Sequence, residues 1–267
     1  MTVHISARNL VLEGWQHGAR ALGPNLRWLG LLVLAGAAYS ASLHIGGNIA
    51  APFAMAVLTF AAGLQFSRGL YVSLIGRRPG GLLQLAHANL AVYLAFLFIG
   101  FFVAFFLMIL PGILIEARGT YTLDQDAPPE LVQRALLDMM PSAYGAFYLL
   151  VAGVGLWIVS FFALRLTLYG AATVDQGKAL VFQTFPWTRN HLQKLTLAAL
   201  ATHVAPFAAG LAANVALRPL LPDSVVGYAL QGAAGIVLFT PFLVAGHGMA
   251  AAAYRRLKPP PAPPPVD

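Results

Sequence analysis

Six long apolar runs limit what this chain can fold into more than any other feature of its sequence. A run of about twenty apolar residues can cross the hydrocarbon core of a bilayer as one α-helix. The runs cover about residues 28–45, 51–70, 88–110, 144–164, 195–217 and 225–254. Charged residues make up 9% of the 267 residues, whereas soluble domains average about 25%. The sequence therefore predicts an all-α polytopic membrane protein, a bundle of six transmembrane helices with amphipathic interfacial helices.

The segment before the first run, residues 1–27, is too polar to span a bilayer. Leu12 and Trp15 recur at helical spacing with basic residues nearby, which predicts a helix lying in the membrane interface. A water-facing helix is the alternative. Small residues at 38–41 resemble a cleavage site, but the long polar leader and a small-residue pair suited to helix packing favour an uncleaved first span.

Two further segments lie outside the spans. Residues 116–141 hold most of the acidic side chains, and an amphipathic helix is predicted near their end; the alternative is an extension of span four. Pro111 is predicted to mark the exit of span three. The last segment, 255–267, is basic and then proline-rich, which predicts an extended tail.

The distribution of basic residues predicts the orientation. The amino-terminal segment, the loop at 68–78, the loop at 165–194 and the tail hold 13 of the 16 Lys and Arg residues. The other three loops hold Arg118, Arg134 and Arg218. By the positive-inside rule, both termini are cytoplasmic, and the segment at 116–141 faces the other side.

The loop at 165–194 carries the most distinctive pattern. A turn at Asp175, an apolar helix over 178–185 and an interfacial anchor at Trp187 are predicted. The amino-terminal segment similarly places Trp15 and basic residues before a span, and whether this marks an internal duplication stays open. Contacts with lipid head groups are predicted for a set of basic and aromatic residues: Arg77, Arg78, Arg165, Trp187, Arg189 and Lys194.

Polar residues inside predicted spans are candidates for function. His203 in span five and His247 in span six lie at depths where they could meet, and Asn214 lies about three turns after His203 in span five. These three residues suggest a polar seam or proton path. The alternative is that each makes an ordinary hydrogen bond to a helix backbone.

Several classes of site lack their motifs. The chain has no cysteine, no HExxH, no GxSxG, no glycine-rich phosphate loop and no acidic pair within a span. No catalytic residue, cofactor or metal ion is therefore predicted. The basic residues flank apolar runs, so membrane lipids and not nucleic acid are the expected partners. Protein partners and a homo-oligomer stay open.

A family resemblance is carried by Arg165 to Leu168, by Asp175 and Gly177, and by Trp187-Thr188-Arg189-Asn190. This pattern resembles uncharacterised six-helix bacterial inner-membrane proteins of the YciC-like type and the membrane domain of some glycerophosphodiester phosphodiesterases. Tyr169-Gly170-Ala171 stands where that pattern usually has proline, and no diesterase domain is attached. The resemblance implies a membrane-embedded module of unassigned molecular role.

Three functions follow as expectations. The first is a non-enzymatic protein of the inner membrane, acting in envelope or lipid homeostasis. The second is a transporter of small solutes or lipids that uses the polar seam between spans five and six. The third is a membrane enzyme acting on lipid head groups.

Overall fold

The computed structural model describes residues 5–45, 49–76, 81–122 and 126–259. Within these ranges the chain is helical and contains no strand. The α-helices are α1 (Ala7–Leu22), α2 (Leu26–Ile45), α3 (Ala50–Ile75), α4 (Leu82–Arg118), α5 (Pro129–Met139), α6 (Ala143–Leu166), α7 (Tyr169–Gln176), α8 (Leu192–Ala199), α9 (Ala205–Leu217) and α10 (Val225–Leu257). A π-helical segment, Leu200–Val204, joins α8 to α9.

Six helical segments are long and apolar enough to cross a membrane, which confirms the all-α polytopic fold class. Each predicted span lies within one of these segments. Helix α4 does not end at Pro111, the predicted exit of span three, but continues through it to Arg118. The added turns are stabilised where Leu114 and Ile115 pack against Ala135 and Met139 of α5.

The chain divides into two compact units. Unit 1 comprises Met1–Asn89 and Leu164–Asp267, and unit 2 comprises Leu90–Ala163. In unit 2 the α5 helix predicted in the acidic segment is present, with Ala135 and Met139 as its buried face. Five phenylalanines of span three are exposed: Phe98, Phe101, Phe102, Phe105 and Phe106.

Unit 1 is built around α10, which packs against α1, α2, α3, α7 and α9. Close approach depends on glycine: a Cβ on Gly18 would overlap the Val244 carbonyl, and one on Gly248 would overlap the Gly14 carbonyl. Gly14 of α1 lies against Ala245 and Met249 of α10, and Gly18 lies against Val244. Residue numbers therefore rise along α1 while they fall along α10, which means that the two helices are antiparallel. Small residues allow such backbone contact.

The buried face of α1 lies beside the stripe of Leu12 and Trp15 that the sequence marks as apolar. Its buried residues include Gly14 and Gly18, whereas Leu12 is 45% and Trp15 is 37% exposed. The apolar pattern of the sequence is formed by large side chains such as Leu12 and Trp15, whereas α10 contacts the small residues Gly14 and Gly18. Trp15 is thereby left on the outer surface of unit 1.

The loop between spans four and five also folds differently from the prediction. The apolar helix expected over 178–185 is wrong; the helix is α7, which ends at Gly177 with a φ of 67°. Gly170 of α7 lies against the Tyr71 ring of α3. After the turn, the Leu180 amide donates to Thr173 Oγ1 at 3.1 Å. Burial of α7 therefore outweighs the apolar pattern downstream of it.

Candidate functional site

The end of unit 1 that carries Arg255 and Lys258, here called the basic end, surrounds a buried core. Residues Ala250 to Tyr254 of α10 are at most 3% exposed, and they pack with Leu168 and Leu195. Such complete burial needs protein on every side of the helix. The basic end is therefore a packed platform on which the surrounding loops rest.

A buried polar contact holds α7 to the end of α10. The Tyr254 hydroxyl donates to Asp175 Oδ2 at 2.7 Å, and Lys258 Nζ lies 3.3 Å from the same oxygen. Tyr254 is 0% and Asp175 is 8% exposed. A buried carboxylate needs such partners, because desolvation of an unpaired charge costs several kcal/mol.

A second ion pair joins α1 to α10. Arg256 donates two hydrogen bonds to the Glu13 carboxylate, and Arg255 Nη2 lies 3.9 Å from Glu13 Oε2. Glu13 and Asp175 are the acidic residues of the amino-terminal segment and of the 165–194 loop. Both are therefore used in contacts with cations at the end of α10.

Neither of these two contacts was predicted from the sequence. The sequence did contain a pattern that could have predicted them: Glu13 and Asp175 are single acidic residues in basic segments. A single acidic residue in such a segment is expected to pair with a cation of the same protein. What no local pattern could supply was the pairing. Glu13 and Arg256 are 243 residues apart in the chain.

The six residues predicted to contact head groups fall into different environments. Arg77 and Arg78 lie outside the described residues. Arg165 is 9% exposed, with its guanidinium carbon 4.3 Å from the Phe185 ring centroid. Burial beneath Phe185 turns Arg165 towards the protein and away from the surface.

The other three predicted residues lie nearer the surface. Trp187 is half-buried, with its ring centroid 6.1 Å from that of Tyr254. Arg189 is exposed and Lys194 is half-exposed. Trp187 thus fixes the 3₁₀ turn Pro186–His191 onto the core, and the same turn presents Arg189 outward.

Of the three residues of the predicted polar seam, His203 and His247 lie at the same level of α10, and Asn214 lies about three turns away. Thr202 donates to the Ala198 carbonyl, so His203 Nδ1 donates to Thr202 Oγ1 at 2.9 Å. The other ring nitrogen of His203 then faces Gly246, where a Cβ would lie 2.8 Å from it. His203 therefore fills a space that Gly246 leaves open on α10.

Asn214 faces the same helix about three turns away. Its Oδ1 lies 3.6 Å from where a Cβ on Gly235 would be. This oxygen is buried and accepts no hydrogen bond from the part of the chain that the structure describes. His203 and Asn214 thus share the α9–α10 interface, with the aromatic contact of Phe207 and Phe239 between their levels.

His247 lies on the neighbouring face of α10, towards α3. Its Nδ1 donates to the Leu243 carbonyl at 2.6 Å, and its Nε2 accepts from the Ser67 hydroxyl. The Tyr71 ring lies beside it, 4.6 Å between centroids. Both ring nitrogens are occupied, which is the arrangement of a histidine that joins two helices.

Span five is interrupted by the π-helical segment Leu200–Val204, which contains His203. Such segments are uncommon and occur frequently at functional sites. Among the described residues, no group of three His, Asp or Glu side chains could hold a metal ion.

Comparison of the chain with family models, curated proteins and solved structures finds no match in any of the three.

Proposed function

We propose that this chain is a multi-pass protein of the inner, cytoplasmic membrane, with both termini in the cytoplasm. Its role is non-enzymatic, in envelope or lipid homeostasis, and its basic end engages anionic lipid head groups. The observation that carries the proposal is the charge distribution: 13 of 16 Lys and Arg residues fall in the four segments assigned to the cytoplasm.

The geometry of the basic end supports this role. Glu13 and Asp175, the acids nearest the platform, are paired with cations of α10. Arg189 is exposed on a turn whose neighbour Trp187 packs against the core. A rigid turn holds its cation at one depth, and each basic residue near an anionic leaflet contributes about 1 kcal/mol of attraction.

The lipid part of the proposal is tested in nanodiscs of phosphatidylcholine with a minor fraction of phosphatidylglycerol. Native mass spectrometry would measure how far phosphatidylglycerol is enriched among the lipids that stay bound to the protein. We expect enrichment with the wild type and an approximately fivefold decrease for Arg189→Gln. Wild-type protein without enrichment would refute the proposal.

The matched control is Arg134→Gln, which removes an exposed arginine from α5. Glu130 and Asp138 on the same helix offset its charge, so we expect no change in enrichment. Orientation is tested separately with carboxyl-terminal fusions. A fluorescent protein should fluoresce and an alkaline phosphatase should be inactive; the reverse result would overturn the assigned topology.

A transporter is a second candidate, favoured by the buried Oδ1 of Asn214, which accepts no hydrogen bond within the described residues. A buried polar atom without a partner inside a span is expected where a solute or water passes. Proton or solute flux in proteoliposomes should then fall with Asn214→Leu. Flux that is absent from the wild type would remove this candidate.

A further inference from the structure

An apolar groove of about 470 Å³ runs along the side of unit 1. This volume lies within the range of ligand pockets, about 300–1,000 Å³. The groove is lined by one side of α9 with the preceding π segment, by α10, and by one residue of α1: Ala201, Ala205, Pro206, Ala209, Gly210, Ala213, Leu238, Pro241 and Trp15. Its occupant must therefore be apolar along its length.

The groove has the length of one acyl chain. From Ala201 to Ala213 it follows twelve residues of helix, about 18 Å. Half the hydrocarbon core of a bilayer is about 15 Å deep. A transmembrane helix would need a groove about twice as long, so the dimensions fit a lipid tail in one leaflet better than a partner helix.

One end of the groove has the character of a membrane interface. Trp15 stands there, 37% exposed, and tryptophan favours the head-group level of bilayers. It adjoins Gly14, which lies against Ala245 and Met249 of α10. That end therefore points towards the basic end of unit 1.

Two cationic side chains lie beyond the Trp15 end of the groove. Arg8 precedes Trp15 by seven residues on α1, and Lys194 precedes Ala201 by seven residues on α8. Seven residues are two turns of α-helix, so Arg8 shares the face of Trp15 and lies about 10 Å nearer the basic end. Lys194 lies about as far from Ala201, on the helix that leads into the π-helical segment. Helices α1 and α8 pack together, and Arg8 is exposed while Lys194 is half-exposed.

We propose that this groove binds one acyl chain of an anionic glycerophospholipid. Trp15 lies at the level of the glycerol backbone, and Arg8 and Lys194 bind the phosphate. The inference rests on the proposed function and adds a site to it: an apolar slot that selects one lipid, beyond general attraction to charge. The π-helical segment lies at the head-group end of the slot.

The test compares two alanines on α9. Ala209 lines the groove and Ala208 does not, although both are exposed. Ala209→Phe fills the slot, whereas Ala208→Phe adds the same ring to an outer face. Native mass spectrometry of the full chain, from nanodiscs of phosphatidylcholine with a minor fraction of phosphatidylglycerol, would count the phosphatidylglycerol molecules retained per protein.

We expect Ala208→Phe to retain as many phosphatidylglycerol molecules as the wild type and Ala209→Phe to retain one fewer. Retention by Ala209→Phe, or equal loss in both variants, would overturn the groove assignment. A protein dimer that Ala209→Phe dissociates would also overturn it, since the occupant would then be a second copy. Thermal unfolding of each variant shows whether a loss of lipid merely follows a loss of folding.

A spectroscopic measurement locates the lipid tail independently of mass. Phosphatidylglycerol with brominated acyl chains is added as a minor component to phosphatidylcholine nanodiscs. The fluorescence difference between wild type and Trp15→Phe reports the Trp15 signal, and we expect it to be quenched selectively. Quenching that rises only in proportion to the bulk fraction of brominated lipid would contradict a binding site.

The head-group contacts are tested by Lys194→Gln and Arg8→Gln. Each should reduce the preference for phosphatidylglycerol over phosphatidylcholine about fivefold. An unchanged preference in both would overturn the phosphate assignment. If only the groove proposal is wrong, phosphatidylglycerol is still enriched on the wild type and the enrichment still depends on Arg189. If the proposed function is wrong, phosphatidylglycerol is not enriched even on the wild type.

Discussion

Helices α4 and α10 show that hydropathy and burial report different properties in this protein. The most apolar stretch of α4 has the higher mean hydropathy, yet 6% of it is buried, against 56% for α10. The phenylalanines of α4 are exposed, whereas the alanines Ala251 to Ala253 of α10 are fully buried. Lipid is itself an apolar solvent, so a large side chain needs no protein around it.

The same difference separates the glycines of the two helices. In α10, Gly248 lies against the Gly14 backbone, whereas in α4 a Cβ on Gly100 would meet nothing within 4 Å. Small residues matter where two backbones approach each other, and they are replaceable where the neighbour is lipid. The close backbone contacts of unit 1 are therefore marked by glycines such as Gly14, Gly18 and Gly248.

The largest expected effect comes from closing the α1–α10 contact. Gly18→Leu places a side chain where the Val244 carbonyl lies, so α1 must separate from α10. We expect the free energy of unfolding to fall by about 3 kcal/mol or more. Unfolding in mixed micelles with increasing sodium dodecyl sulfate, followed by circular dichroism, measures it.

Gly100→Leu in α4 is the matched control, because the same side chain there enters open space. Its unfolding free energy should stay within about 0.5 kcal/mol of the wild type. Equal losses in the two variants would break the distinction between backbone contacts and lipid-facing surface.

A smaller effect is expected from removing one hydroxyl group in each unit. Tyr254→Phe leaves the buried Asp175 carboxylate without the donor at 2.7 Å, and we expect a loss of about 1–3 kcal/mol in the free energy of unfolding. In unit 2, Tyr121 donates to the exposed Asp138, where water replaces the lost donor. Tyr121→Phe should therefore cost much less, and the same micelle titration compares the two.

The outcome that would contradict this is a loss for Tyr254→Phe no larger than for Tyr121→Phe. Burial of Asp175 would then contribute nothing to the strength of the contact. A second measurement, hydrogen exchange of the α7 amides, should show faster exchange in Tyr254→Phe, since the contact holds α7 to α10.

The spans could be predicted from the sequence because a transmembrane helix is a local property of about twenty residues. The extension of α4 past Pro111 could not, since it depends on Leu114 and Ile115 meeting Met139 of α5. The position of α7 likewise depends on Gly170 reaching Tyr71 on another helix. Contacts between residues far apart in the chain therefore determine both the length of α4 and the position of α7.

The candidate site, like the fold, could be predicted from the sequence only in part. The exposure of Arg189 follows from its place in a polar turn, but the burial of Arg165 follows from Phe185, which the pattern did not place beside it. The groove could not be predicted from the sequence because the alanines that line it do not differ from the other small residues of a span. Their significance depends on Trp15, nearly two hundred residues away in the chain.

The smallest expected effect lies at the exposed turn between α9 and α10. Asp223 Oδ1 accepts hydrogen bonds from the Tyr228 hydroxyl at 2.8 Å and from Arg218 at 2.9 Å. These bonds hold the pKa of Asp223 below its ordinary value of 3.8. A carboxyl whose pKa is lowered by folding adds stability above its unfolded pKa, and that stability is lost as pH falls through the folded pKa.

The side chain of Asp223 is 84% exposed, so water screens the contact and the effect should be small. The measurement is the unfolding midpoint of wild type and Asp223→Asn between about pH 6 and pH 3. Wild type should be slightly the more stable at pH 6, and the difference should shrink as the pH falls below about 3.8. A constant difference would show that the Asp223 charge is irrelevant and that its turn, unlike the buried Asp175 contact, depends on shape alone.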